Sequence, residues 1–95
     1  MIQQDDFVPM IAGDADVDNA YNAHYKRGDY TISVSYGGMC YGRGFYNREN
    51  GSVAGSFEAM VWNHKTGEVV PTRDGIEYHG WITLQEVNDL LLQFS

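Results

Sequence analysis

From Tyr30 to Tyr36 the chain alternates: Tyr30, Ile32, Val34 and Tyr36 are apolar or aromatic, while Thr31, Ser33 and Ser35 carry hydroxyls. A period of two is the signature of a strand with one dry and one wet face, and no helix can place these side chains on a single side. A strand cannot bury its dry face alone. The run therefore commits the chain to an antiparallel sheet covered on one side by another element.

The residues after this strand read as a meander. Gly37-Gly38 supplies a tight turn, and Met39 to Tyr46 reads as the return strand. Gly42 and Gly44 weaken it, as at a bulge or where a large aromatic ring lies across the sheet. Asn50-Gly51 turns into a strand over Val53 to Asn63, with Val53, Phe57, Ala59 and Val61 on one face. Lys65-Thr66-Gly67 turns into Glu68 to Val70, and Pro71 and Asp74-Gly75 precede a last strand, Ile76 to Ile82.

The end of the chain carries a helix signal. Thr83-Leu84-Gln85-Glu86 is a capping box, and Ile82 and Val87 stand at the spacing of a hydrophobic staple. Leu84, Val87, Leu90, Leu91 and Phe94 form an apolar stripe wide enough to cover a sheet. Upstream, residues 1–13 read as an apolar arm with Phe7, Val8, Met10 and Ile11 around Pro9. Asp14 reads as an N-cap, and the acidic start, basic end (Lys26, Arg27) and Gly28 predict a helix over 14–28. The expected architecture is α+β: an antiparallel β-meander of four to five strands (29–82), an N-terminal helix, and a C-terminal helix (83–94) packed on the sheet. All of it falls in one domain, 1–95. With 43% hydrophobic residues, 2 Trp, 7 Tyr and 4 Phe, the chain has enough apolar area for one core without disulfides or a structural metal.

Charge narrows the function classes. Six Lys and Arg against 13 Asp and Glu give −7, which argues against direct binding to nucleic acid or to an anionic membrane. The acidity is segregated. Residues 1–25 hold Asp5, Asp6, Asp14, Asp16 and Asp18 with no Lys or Arg, a charge of −5, and the other residues carry −2. A single cysteine, Cys40, and an N-terminus without a signal-peptide pattern point to the cytosol. The longest apolar run near the end, Leu90-Leu91-Leu92, is far short of a membrane span.

Motifs for chemistry are incomplete. Asp14, Asp16 and Asp18 match the first spacings of a calcium loop, but Asn19 stands where the loop needs Gly and Tyr25 where it needs a bidentate Glu. Cys40, His24, His64 and His79 lack zinc-site spacing. A thiol nucleophile at Cys40 would need His64 or His79 to meet it in space. Gly42-Arg43-Gly44 follows a turn and leads into strand, unlike a phosphate-binding loop. Arg27-Gly28-Asp29 spells an integrin-binding tripeptide that a helix C-cap explains. No catalytic residue, metal or cofactor is expected.

Six of the seven tyrosines fall between Tyr21 and Tyr46. Tyrosine suits strands, and it is also a preferred interface anchor because it buries area at small entropic cost and keeps a hydroxyl. Small size, segregated acidity and a tyrosine-rich sheet resemble, as a class, the small acidic inhibitors that bacteriophages and mobile elements direct against host defences, the anti-CRISPR and antirestriction proteins. The resemblance spans the whole chain loosely and rests on no diagnostic motif. It implies a non-enzymatic inhibitor in the bacterial cytoplasm, acting on a protein partner with a basic, nucleic-acid-binding surface. Clustered carboxylates would occupy a channel meant for DNA. The expected contact residues are Asp5, Asp6, Asp14, Asp16, Asp18, Tyr36 and Tyr41. The alternatives are a small-molecule or peptide pocket lined by Tyr, Trp81 and His79, and an assembly subunit or homodimer docking through the arm Phe7 to Ile11.

Overall fold

A computed structural model describes residues 2–9, 20–38, 40–45, 55–71 and 75–94. They form a five-stranded antiparallel sheet in the order β1-β2-β3-β4-β5, closed on one face by a C-terminal helix. The strands are β1 (Val8–Pro9), β2 (Tyr21–Arg27), β3 (Tyr30–Tyr36), β4 (Phe57–Asn63) and β5 (Tyr78–Ile82), and the helix α1 spans Leu84–Gln93. A 3-10 turn, Gln4–Asp6, precedes β1.

The alternation in β3 sorts its side chains onto two faces, although on the hydroxyl face Thr31 and Ser35 are buried as well. Ile32 pairs with Tyr25 and Val61, and Val34 with Ala23 and Ala59, so the dry residues of three strands stand in rows on one face. Ile32, Val34, Phe57, Ala59 and Val61 are fully buried there, and α1 adds Val87, Leu90 and Leu91. Burying a side chain of this size contributes about 1.5–3 kcal/mol. Rings fill the rim: Tyr30 meets Phe94 at 5.2 Å, and Phe7, Tyr36, Phe45 and Phe57 pack with centroids 5.0 to 6.1 Å apart.

The capping box forms. Glu86 N–H donates to Thr83 Oγ1 at 3.1 Å, and Thr83 N–H donates to the Glu86 carboxylate at 3.2 Å. Ile82 packs against the core beside buried Val87, as the staple spacing predicts.

Two expectations are corrected. Residues 21–27 are strand β2, not the last turns of a helix over 14–28, and the only helical turn of the described N-terminal residues is the short one at Gln4–Asp6. The 20–27 sequence fits both periods, and pairing along all of β3 decides for strand, with Gly28 at φ 62 opening a two-residue hairpin turn to Tyr30. The rest of that expected helix, residues 14–19, lies outside the described residues. Residues 40–45 form a loop, not a return strand, because β2 and β4 already occupy both edges of β3. This stretch keeps a single bridge, Gly44 to Ser56. In the arm, Phe7 is buried in the core, and Val8 and Pro9 pair with Asn22 and Tyr21. Met10 and Ile11 lie outside the described residues.

The aromatic reading of Gly44 holds, since a Cβ there would sit 2.7 Å from the Tyr36 ring. Glu68 to Val70 reduces to one bridge, Val69 to Trp62, and the last strand starts at Tyr78.

Candidate interaction surface

The loop after β3 and the edge strand β5 build the most distinctive surface of the described residues. Gly37 N–H donates to the Gly42 carbonyl and Cys40 N–H to the Gly37 carbonyl, both at 2.9 Å, so the chain folds back directly after β3. Gly42 then passes so close to β4 that a Cβ would lie 2.6 Å from the Phe57 Cα, and only glycine fits. Arg43 N–H donates to Ser56 Oγ at 2.8 Å, and Tyr41 N–H donates to the Glu58 carboxylate at 2.8 Å. The loop is thereby bound at its backbone, leaving the Tyr41 and Arg43 side chains outward.

Strand β5 carries a bulge opposite. Phe57 pairs with Ile82 but Ala59 with His79, which leaves an extra residue on β5 around Gly80 and Trp81. Trp81 holds φ 56, and no other non-glycine residue among those described has a positive φ. Left-handed backbone costs a residue with a Cβ about 1–2 kcal/mol. Strain of this kind persists where the surroundings enforce it, and it gathers at functional sites. Here Trp81 N–H donates to the Tyr41 carbonyl at 2.7 Å, and a Cβ on Gly80 would touch Tyr41 at 3.0 Å.

The strain displays an indole instead of burying it. Trp81 is 51% exposed and Tyr41 62%, with ring centroids 6.4 Å apart. The Arg43 guanidinium lies 5.3 Å from the Trp81 ring centroid, a cation–π geometry. Trp, Tyr and Arg are the three residue types most enriched at interface hot spots. Fixing them by backbone bonds lowers the entropic cost of docking.

The expected contact residues divide. Tyr41 belongs to this surface. Tyr36 does not: its ring packs among Phe7, Tyr21, Phe45 and Phe57, and burial, followed by the neighbouring Tyr21, pushes its phenol above the ordinary value. Asp5 and Asp6 sit in the 3-10 turn, where the Asp6 carboxylate accepts from Gln3 N–H at 3.0 Å and from the Tyr25 hydroxyl at 2.8 Å. Asp6 thus fastens the N-terminal turn to β2. Asp14, Asp16 and Asp18 lie outside the described residues. Trp81 is expected only as a wall of the alternative pocket, and Arg43 and Glu58 are not among the expected contacts. The signals for them were the Gly42-Arg43-Gly44 loop and Gly80 before Trp81, a glycine beside a large ring in an edge strand.

Burial and then Glu58 push the Cys40 thiol above its ordinary value. The His64 ring is engaged by Thr31, with Nδ1 and Oγ1 at 2.9 Å. No helix of the described residues is long and apolar enough to cross a membrane. The chain matches no protein-family model, no curated protein and no solved structure.

Proposed function

We propose that the chain is a non-enzymatic protein-binding domain of the inhibitor type, docking on its partner through Trp81, Tyr41 and Arg43. The observation that carries this reading is the strained, half-exposed Trp81. In the isolated domain the strain at Trp81 is met by the bond to the Tyr41 carbonyl and the Arg43 contact, while half of the ring stays exposed. A partner that buries the rest of the ring adds to that offset. The docking reading is favoured over the pocket alternative by the exposure of Trp81 and Tyr41, 51% and 62%, which rings enclosed in a pocket would not keep.

The net charge of −7 favours a partner with a basic surface, such as a nucleic-acid-binding component of a bacterial defence system. This finer identity rests on charge and on the class resemblance. The test is affinity capture from bacterial lysate at low and high salt, with Trp81→Ala and Tyr41→Ala run beside the native chain. A protein recovered by the native chain and lost by both variants supports the reading, and a nucleic-acid enzyme among such proteins supports the finer identity. Equal recovery by all three chains would overturn it.

A further inference from the structure

Beside the Trp81 surface, the hydroxyl-bearing face of the sheet holds a hollow of about 80 Å³ lined by Ser33, Ser35, Glu58, Met60 and Tyr78. On the same measure one water needs roughly 10–15 Å³, so the space admits a side-chain head group. Its polar wall is fixed in advance. The Asn22 amide donates to Ser33 Oγ at 2.9 Å and to Ser35 Oγ at 2.8 Å, holding both hydroxyl oxygens in place. Glu58 Oε2 accepts from Tyr41 N–H, and among the described residues no Lys or Arg pairs with this carboxylate. Tyr78, 62% exposed, stands at the rim.

A carboxylate without a Lys or Arg partner among the described residues, two oriented hydroxyl oxygens, a thioether and an exposed ring are complementary to one kind of group. A guanidinium is cationic, planar and donor-only, so it can bond to oxygen at its edge while its face lies on Met60 and Tyr78. An ammonium could meet the carboxylate but has no face to stack. We propose that this hollow accepts an arginine side chain of the partner protein. The inference rests on the protein-docking reading above and extends it from Trp81 across Tyr41 to Glu58.

The probe is N-acetyl-arginine methylamide, titrated into the full ¹⁵N-labelled chain, with the lysine and the neutral citrulline counterparts in parallel. The arginine probe should shift the amides of Ser33, Ser35 and Tyr41 saturably, with a Kd in the millimolar range. Glu58→Gln should weaken this response about tenfold or more, since it removes the charge. The Gln carbonyl can still accept from Tyr41 N–H, so the loop is retained and a loss reports on charge. No saturable shift, an equal response to citrulline, a stronger response to lysine, or an unchanged response in Glu58→Gln would each overturn the proposal. Trp81-dependent capture without any arginine response removes the hollow alone. An arginine response without Trp81-dependent capture removes the docking ridge alone.

Discussion

The backbone N–H of Trp81 donates to the carbonyl of Tyr41 at 2.7 Å, joining the loop after β3 to the edge strand β5. Neither segment would hold its exposed ring alone. Arg43 and Tyr41 are placed by bonds to Ser56, just before β4, and to Glu58 on β4, and Trp81 is placed by the bulge and this bond. Two segments distant in sequence thus become one patch, held through the backbone N–H groups of Tyr41, Arg43 and Trp81, which substituting those three side chains leaves intact.

That arrangement separates fold from binding. At φ 56 a glycine meets no Cβ penalty, so Trp81→Gly should be more stable than Trp81→Ala by about 1 kcal/mol, even though glycine raises the entropy of the unfolded chain. Both variants should lose partner binding. Urea midpoints at unchanged slope test the first half. Equal stability of the two variants would show that the backbone relaxes once the indole is gone, and would remove stored strain from the account.

Thr83→Ala should lower stability by about 0.5–2 kcal/mol, because both bonds of the capping box depend on this residue or its backbone position. Thr83→Ser should retain most of it, since the hydroxyl survives. Denaturant midpoints distinguish the two, and an Ala variant that matches the native chain would leave α1 held by its buried stripe alone.

Strands β4 and β5 fall inside the longer ranges expected for them, and the two elements read with their ends, β3 and α1, are those in which period and end signals agree. In α1 the box, the staple and the stripe all point to one helix starting after Thr83. The 20–27 segment lacks that agreement. Tyr21 and Tyr25 recur at a spacing of four, which suits a helix face and also every second position of a strand, and Lys26-Arg27-Gly28 imitates a helix end. The missed cue was Gly28-Asp29 standing directly before an alternating run, a two-residue hairpin signal. The Trp81 surface was illegible for another reason. Its parts converge only through the close approach of Gly42 to Phe57 and the bulge opposite Glu58, and no local pattern encodes either contact.

Tyr25 makes stability fall at alkaline pH. Burial, and then the hydrogen bond and charge of Asp6, hold its phenol well above the ordinary value of 10.0. Below about pH 10 the phenol is protonated in both folded and unfolded chains, and its contribution is fully present. Above that, the unfolded chain releases the proton while the folded chain keeps it, so stability is lost as pH rises toward the folded pKa. Tyr25→Phe should flatten this decline, leaving the smaller part due to Tyr36 and Cys40, which shift in the same direction. Urea midpoints for both chains at neutral pH and on either side of about pH 10 provide the check. Parallel curves would exclude Tyr25 as the source.

Charge and aromatic contacts should act on different rates if both belong to the partner interface. The −5 charge of residues 1–25 has its largest reserve in Asp14, Asp16 and Asp18, since Asp6 is already committed to Gln3 and Tyr25. Carboxylates at the rim attract a basic partner over about a Debye length, which speeds encounter and is weakened by salt. A ring seated in a desolvated contact instead governs how long the complex lasts. Replacing Asp14, Asp16 and Asp18 with Asn should therefore slow association several-fold at low salt, flatten its salt dependence, and change dissociation little. Trp81→Ala should do the reverse, raising the dissociation rate about tenfold or more while association stays near native. Surface-binding kinetics on the captured partner at two ionic strengths resolve the two effects. If the Asn variant associates and responds to salt like the native chain, the acidic segment has no part in encounter, and the interface is confined to the Trp81 ridge.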